Sequence, residues 1–339
     1  MKLHTTLLVC SFLSTLFVPC AALALDCQNP QTQTDMKKIT GLVFLLISFS
    51  AFAQQDPLFS QYMFNKLVLN PAYAGSREVL TIDMLDRYQW VGIDGAPRTF
   101  TVGAHMATRN NKVGLGFYAY RDALGPTVNQ GLMATYSYRL LLGTGNLSFG
   151  IQAGFKYFDF DWTKMNLENS DYTFNPQDIQ RFTPDANFGI YYQSNRFFAG
   201  LSSKQLFQNE YGVATVGDKT TYSKLLRHFY GMAGAAFPVD DKIIFRPSVL
   251  AKFVKNAPLQ VDFNASLLFG DIFWIGASYR TEKAIVFLTE FRISEKFRVG
   301  YSYDMYLNEL QPHNKGSHEI RLGIDLDLYH SRMMTPRYF

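Results

Sequence analysis

The strictest alternation of apolar and polar positions lies near the end of the chain, in two consecutive segments. In the first, apolar residues occupy every second position from Phe297 to Tyr303. In the second, they occupy every second position from Ile320 to Leu328. Side chains on a β-strand point alternately to opposite faces, so each segment is predicted to be a strand with one apolar face and one polar or small face.

The same alternation recurs upstream and predicts an all-β chain of about fourteen strands. The predicted strands cover residues 78–90, 97–109, 112–121, 127–142, 146–158, 184–194, 196–205, 225–238, 242–254, 258–269, 272–281, 284–293, 296–306 and 317–329. Each is long enough to cross a bilayer as a tilted strand of roughly 9 to 11 residues. Because a soluble sandwich alternates in the same way, the period alone leaves the fold class open.

The connections favour a membrane barrel. Every second connection is short and rich in turn formers, as at Asn110-Asn111 and Gly270-Asp271. The others include the longer segments 91–96, 159–183, 206–224 and 307–316. Outer-membrane barrels have short turns at one end and longer loops at the other, so we predict a transmembrane antiparallel outer-membrane β-barrel over residues 77–330. With both termini in the periplasm, the longer loops would face outward.

Composition agrees with an apolar outer surface and argues against a nucleic-acid partner. The 339 residues are 47% hydrophobic and 16% aromatic, but only 18% are charged. The net charge is +4, and the basic residues are scattered with no Lys/Arg block. Aromatic residues near strand ends, among them Tyr88 and Trp274, are candidates for the girdles at the two membrane interfaces, with ordinary packing against loops as the alternative for each.

Two apolar leaders precede the predicted barrel. Residues 36–53 have two lysines, an apolar run and a small-residue cleavage site, which is typical of a signal peptide cut before Gln54. We interpret residues 1–35 as an extension from an upstream start codon, although one long leader is the alternative. All three cysteines (Cys10, Cys20 and Cys27) lie in this extension, so the mature chain is predicted to contain no disulfide and no thiolate site.

Residues 54–76 are unusually aromatic for a mature N-terminus. Asp56 is a plausible N-cap, Pro57 suits the first helical position and Asn70-Pro71 is a natural stop, so the segment predicts a short amphipathic helix. Its apolar stripe must be buried, either as a plug in the lumen or as a docking surface for a periplasmic partner. The candidate residues are Phe59, Tyr62, Met63, Phe64, Asn70, Pro71, Tyr73 and Gly75. Gly75 is expected to turn the chain into the first strand, with a plain loop as the alternative.

A second candidate cluster comes from the polar face of the last strands. The residues expected to point inward are Arg298, Asp304, Glu319, Arg321, Asp325 and Asp327. Their mixed signs favour a lumen filled by salt bridges, and a wet selective pore is the alternative. Glu319 and Arg321 are expected to pair with Asp304 or Arg298 across the last hairpin.

No catalytic or metal-binding pattern is found in the sequence. The six histidines show no metal-ligand spacing, and none belongs to a recognisable nucleophile arrangement. We therefore expect no enzyme activity, no cofactor and no metal. Residues 331–339 are expected to form a periplasmic tail.

Seven stretches of the chain carry a further signal: DPLFSQYMFNKLVLNPAYAGS (56–76), RYQWVGIDGAPRTFTVGAH (87–105), NNKVGLGF (110–117), KNAPLQVDFNASLLFGDIFWIGASYR (255–280), VGYSYD (299–304), GSHEIRLG (316–323) and PRYF (336–339). Together they resemble the PorP/SprF family of type IX secretion system outer-membrane proteins of Bacteroidota. The resemblance implies a non-enzymatic outer-membrane component that supports export and surface attachment of cargo such as gliding adhesins. It implies three kinds of partner: outer-membrane lipid, periplasmic secretion-system subunits and the C-terminal domains of cargo. The alternative function is a porin or hydrophobic-solute channel.

Overall fold

A computed structural model of the protein describes residues 56–161, 164, 179–216, 219–309 and 311–328, with only the backbone described for 179 and 211–223. The predicted leaders (1–53) and tail (331–339) lie outside the described residues. In the part that is described, no helix is both long and apolar enough to cross a membrane.

Strands dominate the described residues. They are β1 (Leu80–Tyr88), β2 (Arg98–Ala107), β3 (Val113–Leu124), β4 (Thr127–Leu142), β5 (Gly145–Phe160), β6 (Ile179–Gln193), β7 (Phe197–Lys204), β8 (Glu210–Val216), β9 (Lys219–Lys224), β10 (His228–Ala235), β11 (Phe237–Asp240), β12 (Ile243–Val254), β13 (Gln260–Phe269), β14 (Phe273–Arg280), β15 (Ala284–Arg292), β16 (Phe297–Tyr306) and β17 (Ser317–Leu326). All fourteen predicted strands are present, and β8 and β9 form an additional hairpin within the connection from β7 to β10.

The strands close into one antiparallel barrel. Each pairs with its neighbours in the barrel, β1 pairs with β17, and β10 pairs with both β7 and β12. β10 and β11 are one strand interrupted at Ala236, and β11 shifts register at Pro238, which has no N–H to donate. Counting them once gives fourteen strands, which confirms the predicted barrel.

The two faces of the wall have opposite chemistry. In β17, the polar residues Glu319 and Arg321 are fully buried, whereas Ile320 and Leu322 are each nearly half exposed. Polar side chains therefore face the interior and apolar side chains face outward, the reverse of a soluble protein. This arrangement is that of an outer-membrane barrel, and it excludes a sandwich with an apolar core.

The two ends of the barrel differ, and we call them the turn side and the loop side. The turn side carries connections such as Gly270-Asp271, where both residues have positive φ (56° and 57°), as a two-residue type I′ turn requires. The loop side carries the longer connections and the β8–β9 hairpin. Its rim is uneven, because β4 and β5 have 16 residues each and β14 has eight.

Candidate functional site: a plug inside the barrel

Residues Asp56–Ser76, which we call the plug, lie inside the barrel, but they do not form the predicted amphipathic helix. Two short 3-10 turns, Lys66–Val68 and Pro71–Tyr73, are joined by irregular backbone. Every residue from Phe59 to Ser76 is buried. An amphipathic helix buries one stripe, whereas the barrel encloses this segment on all sides and hydrogen-bonds to its backbone. The helix prediction is therefore wrong.

The first plug residue is fixed to the loop-side ends of β7 and β10. The Asp56 carboxylate contacts the Lys204 ammonium at 2.7 Å, accepts a hydrogen bond from the Gln205 amide at 2.6 Å and another from the Tyr230 hydroxyl at 3.3 Å. Burial by itself would raise the pKa of Asp56, but Lys204, His228 and Lys156 hold that pKa well below its usual value. Asp56 is thus held ionised, and it does not cap a helix.

The Glu319 carboxylate holds the backbone of the next plug residues. One oxygen accepts the Ser60 N–H at 2.9 Å, the other accepts the Gln61 N–H at 2.8 Å, and the Glu319 carbonyl accepts the Gln61 side-chain amide at 3.0 Å. Charge-assisted hydrogen bonds of this kind are stronger than neutral ones. A single wall residue therefore holds the plug by three hydrogen bonds, two to its backbone and one to the Gln61 side chain.

Ser60 also contacts a group of buried charges nearer the loop side, which we call the upper cluster. It consists of Arg87, Asp262, Arg280, Asp304 and Glu319. The Ser60 hydroxyl donates to Asp304 at 2.7 Å and accepts from Arg87 at 2.9 Å. Arg87 contacts Asp304 at 2.7 Å and Glu319 at 3.1 Å, and Arg280 joins Asp262 to Asp304 at 2.9 and 3.3 Å. These residues come from β1, β13, β14, β16 and β17, so the cluster ties five strands to the plug.

A lower cluster lies nearer the turn side and consists of Arg77, Asp83, Glu290, Arg298, Arg321 and Asp325. Arg321 pairs with both Glu290 and Asp83, and it donates to the Phe64 carbonyl at 3.2 Å. Asp325 pairs with Arg298 at 2.9 Å and with Arg77 at 3.1 Å. Three arginines thus balance three carboxylates, and the neutral balance makes the burial of six charges tolerable.

The aromatic plug residues pack against both the wall and the plug itself. Phe64 meets the indole of Trp274 edge-on, with ring centroids 5.9 Å apart, and the Arg246 guanidinium lies 4.8 Å from the centre of that indole. Trp274 is 6% exposed and faces the lumen, so its assignment to an interfacial girdle was wrong. Tyr62 and Met63 belong to the same buried apolar cluster as Phe64, whereas Phe59 packs in a second one.

The opposite wall contacts the plug through a row of small residues. Gly114, Ser137, Gly150, Gly189 and Ser202 are successive cross-strand partners on β3, β4, β5, β6 and β7, and we call them the small-residue row. A Cβ added at Gly150 would lie 2.2 Å from the Ala72 nitrogen, and one at Gly189 would lie 2.0 Å from the Asn70 side-chain oxygen. Any larger residue at these two positions would occupy space that the plug already fills.

The serines of the row bind the plug backbone directly. The Ser137 hydroxyl donates to the Ala74 carbonyl at 2.7 Å, and the Ser202 hydroxyl donates to the Leu69 carbonyl at 2.6 Å. Hydroxyls therefore satisfy carbonyls that no ladder partner reaches, as buried backbone groups require. Each serine of the row thus combines small size with one hydrogen-bond donor to the plug backbone.

Asn70 and Gly75 are the two ends of the plug segment that rests on the row. The Asn70 side chain accepts the Ala72 N–H at 2.9 Å, which caps the turn that Pro71 begins, and donates to the wall carbonyls of Ile190 and Leu201 at 3.0 and 3.3 Å. Gly75 has φ of +75°, and a Cβ there would lie 2.8 Å from the Gly114 Cα. Tyr73 packs edge-on against Tyr191, with centroids 5.4 Å apart.

The six predicted lumen residues fall into three groups. Asp304 and Glu319 belong to the upper cluster, and Arg298, Arg321 and Asp325 belong to the lower one. Asp327 lies beyond the end of β17 and is exposed, so its predicted inward position is wrong. The expected pairing of Glu319 and Arg321 with Asp304 or Arg298 is also wrong, because Glu319 pairs with Arg87 on β1 and Arg321 with residues of β1 and β15.

Sequence reasoning missed six of the eleven charged residues in the two clusters. These are Arg77, Asp83, Arg87, Asp262, Arg280 and Glu290. Most of them could have been found by extending the alternation to other strands: in β1, for example, Asp83 and Arg87 share the inward-facing positions with Thr81 and Leu85. The contacts that join them across β1 and β17 depend on barrel closure, which no local pattern shows.

A family model for the type IX secretion system membrane protein PorP/SprF matches residues 51–324, which include the plug and nearly all of the barrel. The chain belongs to the PorP/SprF family. It is therefore a membrane component of the type IX secretion system, with the fold of an outer-membrane barrel. A comparison with curated proteins gives no match.

Comparison with solved structures finds outer-membrane barrels of low sequence identity. The CymD monoaromatic hydrocarbon channel is 11% identical, with a TM-score of 0.48 over 83% of this PorP/SprF chain and 97% of that chain. The Acinetobacter baumannii outer membrane protein Omp33 is 8% identical, with a TM-score of 0.41 over 74% and 99%. The KdgM porin is 9% identical, with a TM-score of 0.36 over 74% and 99%.

Within this PorP/SprF barrel, the described geometry is suited to holding a segment in place. Wall groups fix the position of the plug by charge at Lys204, by hydrogen bonds at Glu319 and by close approach at Gly150. Among the described residues, no group of three or more His, Cys, Asp or Glu side chains could hold a metal ion.

Proposed function

We propose that this protein is a non-enzymatic outer-membrane component of the type IX secretion system that supports export and surface attachment of cargo such as gliding adhesins. The proposal rests on family membership and on one structural observation, the occupied lumen. The plug contacts strands around the wall through Glu319, Ser137 and Ser202, among others. A barrel filled in this way is suited to act through its surfaces rather than by conducting solutes.

The partners follow from the same argument. Outer-membrane lipid contacts the apolar outer face, and we propose that periplasmic secretion-system subunits meet the turn side and cargo C-terminal domains meet the loop side. The burial of Phe59, Tyr62, Met63 and Phe64 supports the plug role over the docking role for this segment, because a partner could reach these side chains only after the plug had moved.

A deletion strain tests the proposal. Without this gene, we expect cargo to accumulate in the periplasm and to disappear from protease-accessible sites on intact cells, and the wild-type gene should restore display. Unchanged surface display in the deletion strain would contradict a role in secretion. The purified protein should show no steady large openings in planar bilayers, whereas a porin would show them.

A plug variant separates the structural role of the segment from the docking role. Phe59→Ala with Tyr62→Ala should insert into the outer membrane but lose cargo display, because two buried rings are removed from the plug. If the segment is a structural plug, the same variant should also show increased conductance. Loss of display with a closed barrel would instead support docking. The control is Phe59→Leu with Tyr62→Phe, which keeps most of the buried volume and should retain display.

A further inference from the structure

The start of the plug lies at the loop side of the barrel. Asp56 pairs with Lys204, the last residue of β7, immediately before the long connection to β10. It also bonds to Tyr230, near the start of β10 after that same connection. Pro57 and Leu58 line a small cavity with Lys252 and other residues near the loop-side ends of β12 and β13.

The next contacts are still near the loop side, on the opposite part of the wall. Ser60 and Gln61 bond to Glu319, the third residue of β17, which enters from the loop side. Ser60 also bonds to Arg87, one residue before the loop-side end of β1.

The plug then descends towards the turn side. Phe64 packs on Trp274, the second residue of β14 after the turn. Gly75 approaches Gly114, the second residue of β3, and Arg77 pairs with Asp325, next to the last residue of β17.

These contacts fix the direction of the plug at both of its ends. We infer that the plug crosses the lumen from the loop side to the turn side, so that its N-terminal end faces the side of the long loops and the end of β17 faces the other side. Both termini were expected at the turn side. A reversed plug would place Asp56 near the lower cluster and would lose the Lys204, Glu319 and Asp325 contacts together. One prediction follows: the N-terminal end of the plug is accessible from the same side of the membrane as the long loops.

The absence of cysteine after residue 53 makes the inference directly testable. A Gly-Ser-Gly-Cys-Gly-Ser insert between Gln55 and Asp56 would carry a thiol beyond the mouth. Asp94→Cys, exposed in the β1–β2 loop, marks the loop side, and Thr144→Cys, exposed in the β4–β5 turn, marks the turn side. Each variant is treated with a membrane-impermeant maleimide in intact cells, after outer-membrane permeabilisation and after denaturation.

The insert should be labelled under the same conditions as Asp94→Cys and unlike Thr144→Cys. Labelling that follows Thr144→Cys would overturn the inference. The comparison holds whichever side faces the cell exterior, so a failure here is distinguishable from a failure of the proposed secretion role. Leu58→Cys, which keeps the chain length and a half-buried position, repeats the test with a small impermeant methanethiosulfonate in case the insert does not fold.

Discussion

Two parts of the barrel wall hold the same plug by opposite means. From β13 through β17 to β1, the wall presents long charged side chains that reach inward, such as Arg87, Glu319 and Arg321. From β3 to β7, the central contact is the small-residue row, where the plug occupies the space that the Cβ of a larger residue would need at Gly150 and Gly189. The first wall fixes the position of the plug by charge pairing, whereas the small-residue row of the second wall fixes it by leaving space for the plug backbone.

The two walls should therefore respond differently to substitutions. A truncation in the charged wall leaves buried charges without partners, whereas an enlargement in the small-residue row creates a steric conflict with the plug. The charged wall should therefore be sensitive to loss of atoms, and the small wall to gain of atoms.

The largest effect is expected from Arg321→Met. Arg321 is fully buried and pairs with Glu290 and Asp83, so its removal leaves two carboxylates without their main partner. Breaking a buried ion pair costs about 3 to 5 kcal/mol. The free energy of unfolding, measured by urea titration of the refolded protein in detergent, should fall by that amount. Adding Glu290→Gln should recover part of the loss, and a single variant as stable as the wild type would show that the cluster contributes no net stability.

A slightly smaller effect is expected from Gly150→Val. The added atoms would meet the Ala72 backbone, and overpacking of this kind costs about 1 to 3 kcal/mol. Because the plug is the movable partner, we also expect increased conductance in planar bilayers. The matched control is Gly231→Val on β10, where an added Cβ meets only the Leu201 side chain at 3.5 Å. If both variants behave alike, the small-residue row has no special role.

The smallest effect, and one of opposite sign, is expected from Lys66→Met. Lys66 is a plug residue whose ammonium donates to the Met63 carbonyl at 2.9 Å and lies 4.6 Å from the centre of the Phe198 ring on β7. Replacing a buried charge with an apolar side chain of similar volume is often neutral or stabilising by about 1 kcal/mol or more. We therefore expect a small rise in the urea midpoint, with exposed Lys242→Met unchanged as the control.

Alternation and turn chemistry predicted all fourteen barrel strands, because each strand's period and each glycine- or asparagine-containing turn are local properties of the sequence. The inward direction of Arg298, Asp304, Glu319, Arg321 and Asp325 followed from the same period. The helix prediction failed for the plug because helical spacing of apolar residues is also satisfied by a segment that is enclosed on all sides. The prediction that Asp327 points inward failed because the alternation in the sequence continues past Leu326, where the paired strand ends.

The sequence by itself determined which residues form the wall, which face of each strand is apolar, and that an aromatic segment precedes the first strand. Only the tertiary structure decided how that segment lies, because its conformation depends on wall groups far away in the chain: Glu319 is 259 residues from Ser60, and Ser202 is 133 residues from Leu69. Closure of the barrel brings these groups together. The plug then takes the path along which its backbone finds hydrogen-bond partners and its side chains find space, and local propensity is too weak to oppose that.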